Sequence, residues 1–135
     1  MKVVVIDGQG GRLGQLIVEG IKKSNISCDL YAIGTNSNAT ASMLKAGADY
    51  GATGENPVVV ACSDADIIVG PIGIISADSM LGEITSTMAV AVGKSRATKI
   101  LLPTNGCKNQ VVGVKQMSMN EIINETIIKL KEILR

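Results

Sequence analysis

Apolar residues follow two rhythms along the chain, and the rhythms alternate. Lys2 to Ile6 is a short β-branched run, the pattern of a strand. From Gly11 to Ser24 the apolar residues fall at Leu13, Leu16, Ile17 and Ile21, one face of a helix. Cys28 to Ile33 gives a second strand. Asn36 and Ser37 cap a helix to about Ala46, and Gly47 stops it. Asp49 to Gly51 leaves room for a short third strand. Asn56 followed by Pro57 opens a short helix to Ser63.

Asp66 to Val69 is the fourth strand, and it runs out into Gly70-Pro71-Ile72-Gly73. Ser76 opens a helical stretch to about Lys94, with a break near Gly82 or a restart at Thr85. Lys99 to Leu102 is the fifth strand. Asn105-Gly106 marks a turn, and Val111 to Lys115 reads as a sixth strand. Ser118-Met119-Asn120-Glu121 is a capping box, and Ile123, Ile127, Leu130 and Leu134 form one stripe after it.

Strands alternating with helices predict βαβ units with right-handed crossovers. The expected fold is α/β: a single Rossmann-like domain over residues 1–135, doubly wound around a mostly parallel sheet. The expected strand order is 3-2-1-4-5-6. The last connection is too short for a helical crossover, so strand six is expected antiparallel. Composition agrees with a sheet buried on both faces. Hydrophobic residues make up 46%, yet there are two Tyr and neither Phe nor Trp, so Val, Ile, Leu, Ala and Met must fill the core. A chain of this length buries enough surface to fold without disulfides or metal.

Thirteen Lys and Arg oppose twelve Asp and Glu, with no basic stripe that would suit nucleic acid. No apolar run is long enough to span a membrane, and Met1-Lys2 leads straight into a strand, so a cytoplasmic protein is expected. The chain has no histidine, which removes Ser-His and Cys-His catalysis and the commonest zinc ligand. Cys28, Cys62 and Cys107 lie far apart and read as free thiols, so no metal site is expected.

The most informative stretch is Asp7-Gly8-Gln9-Gly10-Gly11-Arg12-Leu13-Gly14, between the first strand and the first helix. Gly8 suits a sharp turn, Gly10 and Gly11 leave their amides open to a phosphate, and Gly14 allows close packing of helix on sheet. Free amides at the helix start and the helix dipole favour an anion. The strict G-x-G-x-x-G and Walker patterns are not met. The alternative is a turn whose glycines serve packing alone. Asp7 would repel a nearby pyrophosphate, and could instead take a ribose hydroxyl, a metal ion or a backbone amide. Gly34-Thr35-Asn36 at the end of strand two offers neither an acid for a ribose nor a base for a ribose phosphate. Gly70-Pro71-Ile72-Gly73 adjoins the first loop at the switch point, with Ser76 and Asp78 beyond it.

Residues 5 to 16 resemble the opening of dihydrodipicolinate reductase, with its glycine-glycine-arginine-hydrophobic-glycine turn. That resemblance implies NAD(P) at Gly8, Gly11, Arg12, Leu13 and Gly14. The reductase's second domain and histidine motif have no counterpart in this sequence. A wider resemblance runs through Ile6-Asp7-Gly8-Gln9-Gly10-Gly11, Ala46-Gly47-Ala48-Asp49, Gly51-Ala52-Thr53-Gly54-Glu55-Asn56, Gly70-Pro71-Ile72-Gly73 and Ser79-Met80-Leu81-Gly82-Glu83-Ile84-Thr85. These segments are similar to a family of small bacterial proteins described only as a domain of unknown function, which implies a Rossmann-like fold and no particular activity.

The sequence thus points to a nucleotide-binding protein, with NAD(P) or a related phosphorylated ligand and an unassigned activity. A non-catalytic nucleotide sensor acting through a partner is the alternative. S-adenosylmethionine binding is a third reading, because Asp7-Gly8-Gln9-Gly10 loosely resembles a methyltransferase first motif. Cys107 beside Lys108 is a weak nucleophile candidate without a base. Glu83 reads as a mid-helix residue with a surface or interface role, the alternative being that it faces the site, and Asp64 and Asp66 read as solvated surface. Mean hydropathy of +0.31 and small residues at Gly82, Ser86, Ala89 and Gly93 predict a homo-oligomer, as a twofold dimer.

Overall fold

The computed structural model describes residues 1–104 and 108–134. Strands β1 (Lys2–Asp7), β2 (Asp29–Gly34), β3 (Tyr50–Thr53), β4 (Ile67–Pro71) and β5 (Thr98–Leu102) form one sheet in the order β3-β2-β1-β4-β5. Every pairing is parallel. Helices α1 (Arg12–Lys23), α2 (Ser37–Lys45), α3 (Glu55–Ser63), α4 (Ser86–Lys94) and α5 (Met119–Ile133) cover it, with one 3-10 turn at Ile72–Ile75.

Side chains alternate across the pleat, so β1 feeds two cores. Val4 and Ile6 pack with Ile68, Val58 of α3, and Met88 and Val92 of α4. Val3 and Val5 pack with Ile17 and Ile21 of α1, Met43 of α2 and Leu130 of α5. Each such side chain, once fully buried, contributes about 1.5–3 kcal/mol of transfer free energy. Two aromatic contacts lie toward the amino ends of the strands. Tyr31 and Tyr50 stack with centroids 4.7 Å apart, and the Lys2 ammonium lies 4.5 Å from the Tyr31 ring centre.

The five-strand order and the helix on each crossover agree with the expectation from sequence; three local expectations do not. No sixth strand pairs with β5 among the described residues. Gly113 takes a left-handed φ of 88° in the middle of Val111 to Lys115, and Val112 is 99% exposed. A turn at that point breaks the extended run, so order 3-2-1-4-5-6 is corrected to 3-2-1-4-5. Helix α4 starts at Ser86, at the expected restart by Thr85, and the stretch from Ser76 up to it is not helical. Asp78, Met80, Leu81 and Gly82 all have positive φ, which no α-helix tolerates, and the Thr85 hydroxyl caps the restart by accepting the Met88 N–H. Helix α3 begins at Glu55, not Pro57. Proline in its first turn forfeits no intrahelical bond.

The small-residue stripe also fails to form one face: Gly82 lies in the loop before α4, and Ala89 packs inside. No helix among the described residues is long and apolar enough to cross a membrane. The Asn105-Gly106 turn and Cys107 lie outside the described residues.

Candidate functional site

The carboxyl ends of β1, β4 and β5 open into a cleft of about 320 Å³. Its walls are Asp7 to Leu13, Pro71, Gly73, Ser79, Met80, Thr104 and Met119. Through Thr104 and Met119 it meets a neighbouring cavity of about 660 Å³, bounded by Ile72 and by residues 109–111 and 114–117.

The glycine turn is easiest to follow amide by amide. Asp7 ends β1 and is only 5% exposed. Its carboxylate points inward: Oδ1 accepts the Gly8 N–H at 2.8 Å and Oδ2 accepts the Gly14 N–H at 2.7 Å. It thereby caps α1, because Gly11 at the N-cap has no side chain to do so. Gly11 N–H donates to the Gly8 carbonyl at 2.9 Å, which closes the turn. Gln9 N–H donates to Glu83 Oε1 at 2.8 Å. The amides of Gly10, Arg12 and Leu13 meet no protein acceptor among the described residues. The Arg12 side chain is exposed and forms no ion pair with any described carboxylate. Three free donors, a helix start and a cation therefore surround one rim of the cleft, an arrangement suited to an anion.

Burial pushes the Asp7 carboxyl above its ordinary range; the Gly14 and Gly8 amides pull it back, and Glu83 adds to the rise. Of the roles open to Asp7 from sequence, the structure gives it the backbone amides. Glu83 behaves oppositely. The Thr35 hydroxyl, with the Gln9 amide and Asn36, holds its carboxyl below the ordinary range against a smaller effect of burial. Thr35 Oγ1 donates to Glu83 Oε1 at 2.6 Å and Asn36 Nδ2 at 2.8 Å. Asn36 also donates to the Gln9 carbonyl and accepts the Ala39 N–H, capping α2.

Of the residues singled out in sequence, Asp7, Gly8, Gln9, Gly10, Gly11, Arg12, Leu13, Pro71 and Gly73 line the cleft, and Ile72 lines its neighbour. Gly14, Gly34, Gly70, Thr35 and Asn36 do not. A Cβ on Gly14 would lie 2.6 Å from the Met43 sulfur; one on Gly34, 2.4 Å from Thr40 Oγ1; one on Gly70, 2.5 Å from the Ile6 carbonyl. Those three glycines serve close packing. Thr35 and Asn36 are turned to Glu83, which lies beside the glycine turn and not on a helix surface, the alternative the sequence left open for it. The signal that locates it is Thr85: a cap there leaves Glu83 outside the helix. Elsewhere, Asp64 pairs with Lys2, and Asp66 accepts the Lys2 N–H, both at the far edge of the sheet. Burial raises the Cys62 thiol to about 11 and also raises Cys28. No metal-holding group of three or more acidic, Cys or His residues occurs among the described residues.

A parallel sheet in this order, wound on both sides and opening at a glycine turn, defines a Rossmann-like α/β protein. The chain belongs to the family described as Domain of unknown function (DUF3842), whose model matches residues 2–135. No curated protein matches it, and the resemblance to dihydrodipicolinate reductase is not shown. Among solved structures it is similar to a dodecameric FMN-dependent UbiX-like decarboxylase from Escherichia coli O157:H7. The identity is 16% and the TM-score 0.49, over 98% of this chain and 76% of that one. A likeness at that level is one of outline, and no residue role is carried across from it.

Proposed function

We propose that this protein binds a small phosphorylated ligand of the nucleotide class, with a phosphate on the Gly10, Arg12 and Leu13 amides and the Arg12 guanidinium beside it. The observation that carries the reading is that these three amides, on the wall of the cleft, have no acceptor among the described residues. The rest of the ligand extends over the ends of β4 and β5 toward Thr104 and Met119, where the cleft continues. A mononucleotide suits this shape. NAD(P) needs a second phosphate and a ribose on the β2 side, where Glu83 now stands between Gln9 and Thr35. S-adenosylmethionine has no phosphate for the free amides and is disfavoured.

The reading is of binding without turnover. Asp7 is the sole carboxylate among the residues that line the cleft, and both its oxygens are engaged by amides. A sensor or subunit role fits such a site, in a cytoplasmic homodimer as composition suggests.

A thermal-shift panel of FMN, AMP, ATP, NAD, NADH, NADP, NADPH, FAD, coenzyme A and S-adenosylmethionine tests this. Ligand at about a hundred times its Kd adds about 2.7 kcal/mol and moves the midpoint by several degrees. Mononucleotides are expected to give the largest shifts. A panel with no shift at all would overturn the reading. The locating variant is Gly10→Asp, because a Cβ at Gly10 meets nothing within 4 Å. Gly11 is unsuitable, since its φ is 73° and a Cβ would lie 2.6 Å from the Ala39 Cα. Gly10→Asp is expected to keep the ligand-free midpoint and abolish the shift; a shift that survives would put the ligand elsewhere.

A further inference from the structure

Glu83 is an anion held by donors that suit an anion. The Gln9 N–H, the Thr35 hydroxyl and the Asn36 side-chain amide converge on its Oε1 at 2.8, 2.6 and 2.8 Å. They come from the glycine turn and from the loop after β2, and together they match what one phosphate oxygen accepts. Oε2 accepts no hydrogen bond among the described residues, so the carboxylate uses the nest with one oxygen. Gln9 is followed directly by Gly10, whose amide is free. A filled anion subsite therefore adjoins an open one along the chain.

The segment that delivers Glu83 is built apart from the glycine turn. Residues 76–85 close on themselves through Asp78 N–H to the Ile84 carbonyl at 2.7 Å and Gly82 N–H to the Asp78 carbonyl at 3.1 Å. Asp78, Met80 and Leu81 hold φ of 66°, 56° and 56°, and Leu81 at the tip is 97% exposed. The loop meets the turn through Glu83 and Met80. A Cβ on Gly8 would lie 2.8 Å from the Met80 sulfur and 3.1 Å from Glu83 Oε1, so glycine there lets the loop seat.

We propose that Gln9 N–H, Thr35 and Asn36 form a second phosphate subsite, which Glu83 occupies and so closes to a diphosphate. With Glu83 seated, the cleft takes a monophosphate. With Glu83 withdrawn, the consecutive Gln9 and Gly10 amides serve the two phosphates of a diphosphate group. The proposal rests on the anion reading of the glycine turn and deepens it: the loop sets which phosphate class enters.

The test is amide NMR of wild type and Glu83→Ala, each titrated with inorganic phosphate and with pyrophosphate and compared with its own ligand-free spectrum. In wild type, both probes are expected to move Gly10, Arg12 and Leu13 and to leave Gln9 and the Asn36 side chain in place. In Glu83→Ala, pyrophosphate is expected to bind at least tenfold tighter than to wild type and to move Gln9 and Asn36 as well. If those two groups stay still in Glu83→Ala, or pyrophosphate affinity is unchanged, the second subsite is overturned even though Gly10, Arg12 and Leu13 respond. If none of the five residues responds in either protein, the anion reading itself fails. Glu83→Gln keeps an acceptor oxygen without the charge and guards against loss of fold. It is expected to show the same pattern with a smaller gain, and a folded Glu83→Gln with wild-type pyrophosphate affinity would also overturn the proposal.

Discussion

Asp7 and Glu83 are carboxylates at the same strand edge with opposite displacements, and the difference is local. Asp7 is buried, and desolvation dominates its two amide bonds; Glu83 is half-buried, and its three donors dominate. Asp7→Asn replaces one acceptor oxygen by an NH₂ group and leaves a Gly8 or Gly14 amide unpaired. It is expected to cost about 1–3 kcal/mol, measured by urea unfolding near neutral pH. For Glu83 the sign follows from a folded pKa below the ordinary value of 4.5. Its contribution is fully present above that value and is lost as pH falls through the lower folded one. The stability gap between wild type and Glu83→Gln is therefore expected to hold from pH 7 to pH 5 and to close in more acid solution. A gap that grows on acidification would contradict the assignment. Asp7, with a raised folded pKa, contributes in the other sense: its stabilisation is fullest in acid and declines as pH rises.

At the scale of elements, two helical glycines separate propensity from packing. In α1, Gly14→Ala gains helix propensity of up to about 1 kcal/mol but drives a methyl toward the Met43 sulfur and to 2.9 Å from Asp7 Cβ. A net loss of about 1–3 kcal/mol is expected from overpacking. In α4, a Cβ at Gly93 meets nothing within 4 Å, so Gly93→Ala is expected to stabilise by about 0.5–1 kcal/mol. Paired chemical-denaturation curves check both. The elements legible in sequence were those set by local chemistry: β1 and β4 by β-branched runs, α2 by its Asn36 cap, α5 by the Ser118 and Glu121 box. The helix expected from Ser76 and the strand expected over Val111 to Lys115 do not form, because apolar spacing cannot register a left-handed backbone at Asp78, Met80, Leu81 or Gly113. The glycine turn was legible as a turn. Its division into capped and free amides was not, because Glu83 reaches Gln9 across a separation of 74 residues.

For the whole molecule, the strand order followed from alternation of strand and helix and from the switch point, which need no long-range detail. Assembly depends on surface instead. Val60 on α3 and Val90 on α4 are each 58% exposed, and a shallow groove with Val59, Ser86 and Lys94 adjoins Val90. A homodimer is expected by light scattering at micromolar concentration, and Val90→Lys is expected to shift the mass toward the monomer. A monomeric wild type would dispose of the dimer.

The stacked Tyr31 and Tyr50 are the chain's whole complement of aromatic side chains. They sit toward the amino ends of the strands, while the cleft opens at the carboxyl ends. The protein is therefore optically quiet: it emits as tyrosine alone and is dark above the tyrosine band. Loss of the stack reports unfolding of the sheet, while any reduced nicotinamide or flavin caught at the other edge would be read at longer wavelength against no background from the chain.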